Sequence, residues 1–263
     1  MTLRAPHHPP APATGRYSRR SVLTGAFALA TAAALPAAAG RAYAAAGPDI
    51  IACATWGARA ASEPVVVLAN RPERIVVHHT ATANVTDYTK QRAFALARAI
   101  QTYHMDAQGW IDTGQHFTIS RGAFVMEGRH NSLAELRTGT RQVRAAHCVG
   151  QNTVSIGIEN EGTYTSQAPP AAQYAALADL CAHICDQYGL PASEIYGHRD
   201  FNATSCPGDR LYALLPNLRK DVATRLGTTL SDPEEDPVWD LVRQATGRPA
   251  PTLGEYLPAG LLS

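Results

Sequence analysis

The sequence predicts an α/β layer fold built around a mixed β-sheet. Three observations carry that expectation. Short β-branched runs at Arg74–His79, Thr153–Glu159 and Ile195–Gly197 have the length and composition of buried strands. They alternate with longer segments, from Thr86 or Asp87 to His104 and from Pro170 to Tyr188, whose apolar residues recur at helical spacing. Between them, His116–Ser120 and Ala123–Glu127 alternate like a hairpin around Arg121-Gly122. Strands interleaved with helices bury best as layers around one sheet.

Taken in order, the chain opens with a segment that reads as an address, residues 1–44. Ser18-Arg19-Arg20-Ser21 precedes an apolar run from Val22 to about Ala39, and Ala42-Tyr43-Ala44 offers a small-residue cleavage site. Charged region, apolar region and cleavage site make a signal peptide, and the arginine pair points to twin-arginine export from a bacterium. The run contains Gly25, Pro36 and Gly40 and ends at the cleavage site, so no lasting membrane anchor is expected.

Residues 45–73 read as an extended lead-in, broken at Trp56-Gly57 and Pro64. The first core strand follows at Arg74. In the first helix, Phe94, Ala97, Ile100 and Tyr103 are expected to face the core. Gly109–Gly114 is turn-rich. Gly128–Val149 is a poor strand and a poor helix, and is read as a long ordered loop over a cleft. The helix at 170–188 carries Tyr174, Leu177, Leu180, Cys181 and Ile184 and stops at Gly189-Leu190-Pro191. A last helix opens after Pro207 with Leu211, Leu214, Leu215 and Leu218. The core domain therefore spans residues 74–226, and 227–263 form a linker and tail around Ser231–Pro237.

The net charge of +1 gives no nucleic-acid footprint and no polybasic membrane patch. Of five cysteines, Cys206 is set apart below. Cys53, Cys148, Cys181 and Cys185 then form an even set in an oxidising compartment, and two disulfides are expected, with Cys53 and Cys148 as partners of the helical pair. Buried free thiols are the alternative.

The chemistry concentrates at two places. Ile75-Val76-Val77 delivers His78 and His79 to the end of a buried strand. Far downstream, His198 and Cys206 sit eight residues apart across a polar loop. Two imidazoles and one thiolate, one histidine of the His78-His79 pair with His198 and Cys206, make a three-ligand Zn2+ site with an open fourth position, the pattern of a catalytic metal.

Five ordered blocks carry a resemblance: Val-Val-His-His-Thr-Ala (76–81), Gly-Trp-Ile-Asp-Thr-Gly-Gln-His-Phe (109–117), Val-Met-Glu-Gly-Arg (125–129), Ala-His-Cys-Val-Gly-Gln-Asn-Thr-Val-Ser-Ile-Gly-Ile-Glu (146–159) and Gly-His-Arg-Asp-Phe-Asn-Ala-Thr-Ser-Cys-Pro-Gly (197–208). The segment from Ile75 to about Ala223 resembles the type 2 N-acetylmuramoyl-L-alanine amidases, which include the peptidoglycan recognition proteins and a phage-lysozyme branch. The resemblance implies a central mixed β-sheet flanked by helices. It selects the first histidine of the pair, His78, with His198 and Cys206, as zinc ligands. It also implies peptidoglycan or a muropeptide as partner, and hydrolysis of the amide joining N-acetylmuramic acid to L-alanine. The protein is expected to act as a monomer.

The sequence departs from the commonest family pattern at two positions. Gln115 stands where most members have a tyrosine, and Thr204 where the phage enzyme has a lysine. Glu159, however, matches the catalytic glutamate of the cytoplasmic anhydro-muropeptide branch, which makes it the candidate general base. Glu161, two residues on, should share its face and is the rival. Glu127 is expected in an ion pair with Arg129. His147 matches a cleft histidine of the family, and Asn152, Gln115, Trp110 and Arg129 are candidates for substrate contact. The reading from another class is a peptidoglycan-binding module without catalysis, favoured by Gln115 and Thr204.

Overall fold

The computed structural model describes residues 47–230. The export signal and the tail beyond residue 230 lie outside the described residues. A six-stranded sheet runs in the order β1 (Ile50–Ile51), β5 (Val125–Glu127), β4 (Phe117–Ile119), β7 (Ser155–Asn160), β3 (Arg74–His79), β8 (Ile195–Gly197). The β4–β5 hairpin is antiparallel and every other pair in this sheet is parallel, so the sheet is mixed. Among the described residues no helix is long and apolar enough to cross a membrane.

Strand alternation sorts each strand onto two faces. On one face Ile75, Val77, Phe117, Ile119, Val125, Ile156 and Ile158 join the main core. They pack under α4 (Ala171–Tyr188) and α6 (Leu215–Arg225), whose Leu177, Leu180, Ile184, Leu218 and Val222 are fully buried. Each such side chain contributes roughly 1.5–3 kcal/mol on burial. On the other face, Met126 meets Ile51, Cys53, Trp56, Ala93 and Ala97, the contact that seats α1 (Cys53–Trp56) and α2 (Lys90–Thr102). Towards β7 and β3 that second face carries Thr118, Gly157, Glu159, Val76 and His78.

Several local expectations are corrected. The first helix starts at Lys90, capped by Thr89, whose hydroxyl accepts from the Arg92 amide at 3.2 Å, while Asp87 holds that cap from outside. Its buried stripe is Ala93, Leu96, Ala97 and Gln101, and Tyr103 is 58% exposed. Small residues let α2 approach Trp56, and Gln101 is buried because its amide bonds both backbone groups of Arg59 and the Asp112 carboxylate. The lead-in is not merely extended: it contributes β1, α1 and β2 (Val67–Leu68).

The supposed loop at 128–149 contains α3 (Ser132–Thr138) and β6 (Gln142–Val143), which pairs with β2. The Glu127 carboxylate accepts from the Leu133 amide at the start of α3 and from the Cys53 amide at the start of α1, each at 3.0 Å. It therefore ties two helix starts together instead of pairing with Arg129. The last helix is split into α5 (Asp209–Tyr212) and α6, because Pro216 has no N–H and its ring excludes a helical carbonyl four residues back, at Tyr212.

The expected disulfides are also corrected: Cys53, Cys148, Cys181, Cys185 and Cys206 are all buried free thiols. The sheet explains why. Cys181 and Cys185 lie in the core under α4, whereas Cys53 belongs to the cluster on the opposite face. Cys53 points at the Gly128 carbonyl and Cys148 at Asn202, both 3.3 Å away.

Candidate metal centre

Strand register builds the site. His78 is paired with Glu159 across β3–β7, and Glu159 with Thr118 across β7–β4, so the three stand abreast near the carboxyl ends of parallel strands. That edge is where α/β sheets place their ligand sites. A short 3₁₀ turn, His198–Asp200, leaves β8 and brings His198 to the same place. The loop to Cys206 is clamped by Arg199, which donates to the Ser205 carbonyl and, at 2.8 Å, to the Asp209 carboxylate.

The ligand atoms of His78, His198 and Cys206 lie within 4.8 Å of one another. Cys206 Sγ is 3.6 Å from His78 Nδ1 and accepts from the His79 amide at 3.4 Å. The His79 ring is turned away, with Nδ1 accepting from the Tyr164 amide at 3.1 Å.

This donor set fits a divalent metal on two grounds. Burial, with His198 and His79 nearby, pushes His78 well below the usual imidazole range, and burial also lowers His198. Both are thus neutral, the form that ligates. Glu159 Oε2 is buried without a hydrogen-bond partner, and burial pushes that carboxyl up to about 8. A buried carboxylate oxygen with no hydrogen-bond partner among the described residues is what a bound dication would stabilise. Burial and Glu159 likewise push the Cys206 thiol up, a preference that a dication reverses.

The other candidates separate. Glu161 does not share the site: β7 ends at Asn160, and Gly162 turns the chain at φ 123°. Its carboxylate pairs with Arg92 at 2.9 Å and accepts from the Arg121 amide at 2.8 Å, fully buried. His147 is in the site, its Nδ1 2.9 Å from His78 Nε2. Only glycine at 157 allows this, since a Cβ there would lie 2.4 Å from the His147 ring. Asn152 holds that loop by accepting from the His147 and Cys148 amides at 2.8 and 2.9 Å.

Arg129 is buried and donates to the carbonyls of Thr113 and Arg144, so its guanidinium braces loops. Gln115 is buried, with Nε2 donating to Thr118 Oγ1 at 2.8 Å. Trp110, half-buried, lies over Gly114 beside the Ala146 carbonyl and packs on the His104 ring, centroids 4.6 Å apart. Sequence reasoning missed Thr118, Ser155 and Asn202. The first could have been found by extending the alternation from Glu159 to its neighbouring strand.

The sequence signature described as N-acetylmuramoyl-L-alanine amidase matches residues 68–209. Peptidoglycan-recognition protein SC2 of Drosophila melanogaster is 34% identical over 167 residues, 63% of this chain and 84% of that protein. The N-acetylmuramoyl-L-alanine amidase of Homo sapiens is 35% identical over 145 residues, 54% of this chain but only 23% of that protein. Among solved structures, the complex of tracheal cytotoxin with the ectodomains of peptidoglycan recognition proteins LCa and LCx matches with a TM-score of 0.55 and 30% identity, covering 63% of this chain and 93% of that one. With the signature spanning more than half of its length, the chain belongs to the N-acetylmuramoyl-L-alanine amidase family.

Proposed function

We propose that the protein is an exported, zinc-dependent N-acetylmuramoyl-L-alanine amidase that hydrolyses the amide between N-acetylmuramic acid and L-alanine of peptidoglycan. The observation that carries the reading is Glu159, whose Oε2 is buried without a hydrogen-bond partner and which stands abreast of His78, one of the three clustered donors. His78, His198 and Cys206 would hold the metal. Bound zinc would polarise the amide carbonyl and acidify water.

Glu159 accepts the proton that the attacking water loses and returns it to the departing alanine nitrogen, a general-base and then general-acid role. Burial raises the carboxyl group's proton affinity, which favours holding the proton for its return to the leaving nitrogen. Thr118 lies beside it in register, with its hydroxyl oxygen already accepting from Gln115. Gln115 cannot ionise, so proton transfer falls to Glu159 in this chain. The leading Ser18–Ser21 arginine motif supports export by the twin-arginine route.

A recognition module without catalysis is the second reading, supported by the match to recognition proteins over most of their length. Purified peptidoglycan incubated with the protein, with and without a chelator, separates the two. Mass spectrometry should detect stem peptides with a free amino-terminal alanine, and a chelator should suppress them. Tight sedimentation with the wall and no released peptide would make the protein a binder.

A further inference from the structure

We infer that two hydrogen-bond relays of fixed polarity, ending at Asn202 and at Ser155, preset the tautomers of His198 and His78 so that both present Nδ1 to the metal. The inference rests on the metal reading above, and it makes Asn202 and Ser155 positioning residues.

The first relay is fixed by the Asn202 side chain. Its Nδ2 donates to the Phe201 carbonyl at 2.9 Å and to the Val149 carbonyl at 3.3 Å. Those two oxygens can only accept, so the orientation of the amide is settled and Oδ1 must point the other way. Oδ1 lies 3.0 Å from His198 Nε2 and 3.3 Å from the Cys148 thiol. An amide oxygen only accepts, so Nε2 of His198 carries the hydrogen and Nδ1 keeps its lone pair. The Cys148 thiol donates to the same oxygen and links the 147–152 loop to the 198–206 loop.

The second relay runs the same way. The Gln151 carbonyl accepts from the Ser155 hydroxyl at 2.8 Å, which fixes that hydrogen. Ser155 Oγ then accepts from His147 Nε2, 3.4 Å away. His147 therefore has its lone pair on Nδ1, which accepts from His78 Nε2 at 2.9 Å. That leaves the lone pair of His78 on Nδ1, the atom 3.6 Å from Cys206 Sγ. Both ring nitrogens of His147 are engaged, so this histidine supports His78 and does not donate to substrate as the ring now stands. Outer partners of this kind are worth about 10–100-fold in metal affinity.

The test reads tautomers and zinc affinity rather than turnover. Nitrogen-15 NMR of the metal-free wild-type protein should show His198 and His78 protonated on Nε2. Competition with a chromophoric chelator should show Asn202→Ala binding zinc about 10–100-fold more weakly. Asn202→Asp keeps the acceptor but loses both donors that pin the loop, so it should retain the His198 tautomer and most of the affinity. Ser155→Ala should loosen zinc binding and perturb His78 while leaving His198 unchanged. Nδ1 protonation of either histidine in the wild type overturns the inference, and so does Asn202→Asp failing alongside Asn202→Ala, which would make the residue a loop pin. If Asn202→Ala does not fold, the wild-type spectrum still decides. Failure of the wild type to bind zinc would sink the metal reading instead, leaving the tautomers measurable on their own.

Discussion

The two faces of the same sheet obey different rules. Within β7, Ile156 and Ile158 face α4 and α6, whereas Ser155, Gly157 and Glu159 face the His78 side. The first face is set by volume: apolar side chains of the right size fill it, and their loss costs stability. The second is set by polarity and clearance, from a buried carboxylate oxygen without a hydrogen-bond partner to a glycine that leaves room for His147. One strand thus carries stability and chemistry on alternate residues, and substitutions one position apart should fail in different ways.

The largest difference should appear at the donor set. Cys206→Ala should lose stoichiometric zinc, read by elemental analysis, and with it release of alanine-terminated peptide. A variant that keeps one zinc per chain would break the contrast. Next, Ile158→Ala on the opposite face should lower unfolding free energy by about 2–5 kcal/mol in a urea titration, with bound zinc unchanged once folded. A smaller loss falls at the boundary between faces. Glu161→Gln removes the charge that Arg92 and the Arg121 amide share, and should destabilise by about 1–3 kcal/mol with kcat retained. Loss of kcat without loss of stability would return Glu161 to the mechanism.

A separate effect, outside the contrast between the two faces, concerns pH. Burial holds His104 and His116 down to about 4, below the ordinary value of 6.5. The unfolded chain therefore takes up protons first as pH falls. The stability these neutral rings represent is complete above about 6.5 and declines through about 4, by roughly 3 kcal/mol for each ring at about 1.4 kcal/mol per unit. Chemical denaturation at pH 7 and pH 4.5 checks the sign, and greater stability at the lower pH would contradict it. His116 bonds the Val143 carbonyl and the Gly157 amide, so His116→Gln should flatten the slope.

Much of the strand layer was legible because parallel strands buried on both faces leave continuous apolar runs, as in Ile75-Val76-Val77. The three clustered donors were legible from residue type and from the spacing of His198 and Cys206. What escaped depended on tertiary partners. Gln101 is buried because of Arg59 and Asp112, so the apolar spacing of α2 pointed to the wrong stripe. Glu161 appeared equivalent to Glu159 by alternation until β7 stopped one residue earlier. The cysteine arithmetic failed because an even count says nothing about which side of a sheet each thiol occupies. Asn202 and Ser155 gave no signal, since their meaning lies in carbonyls contributed by neighbouring loops.

The central claim is that the polar face performs catalysis and does not merely hold a ligand. Its most direct test measures binding and hydrolysis of one soluble muramyl peptide by the zinc-loaded wild type and by Glu159→Gln. The account predicts similar Kd values, with hydrolysis by the variant slower by about 10²–10⁴-fold. Wild-type protein that binds the peptide and its zinc yet releases no alanine-terminated product would contradict it.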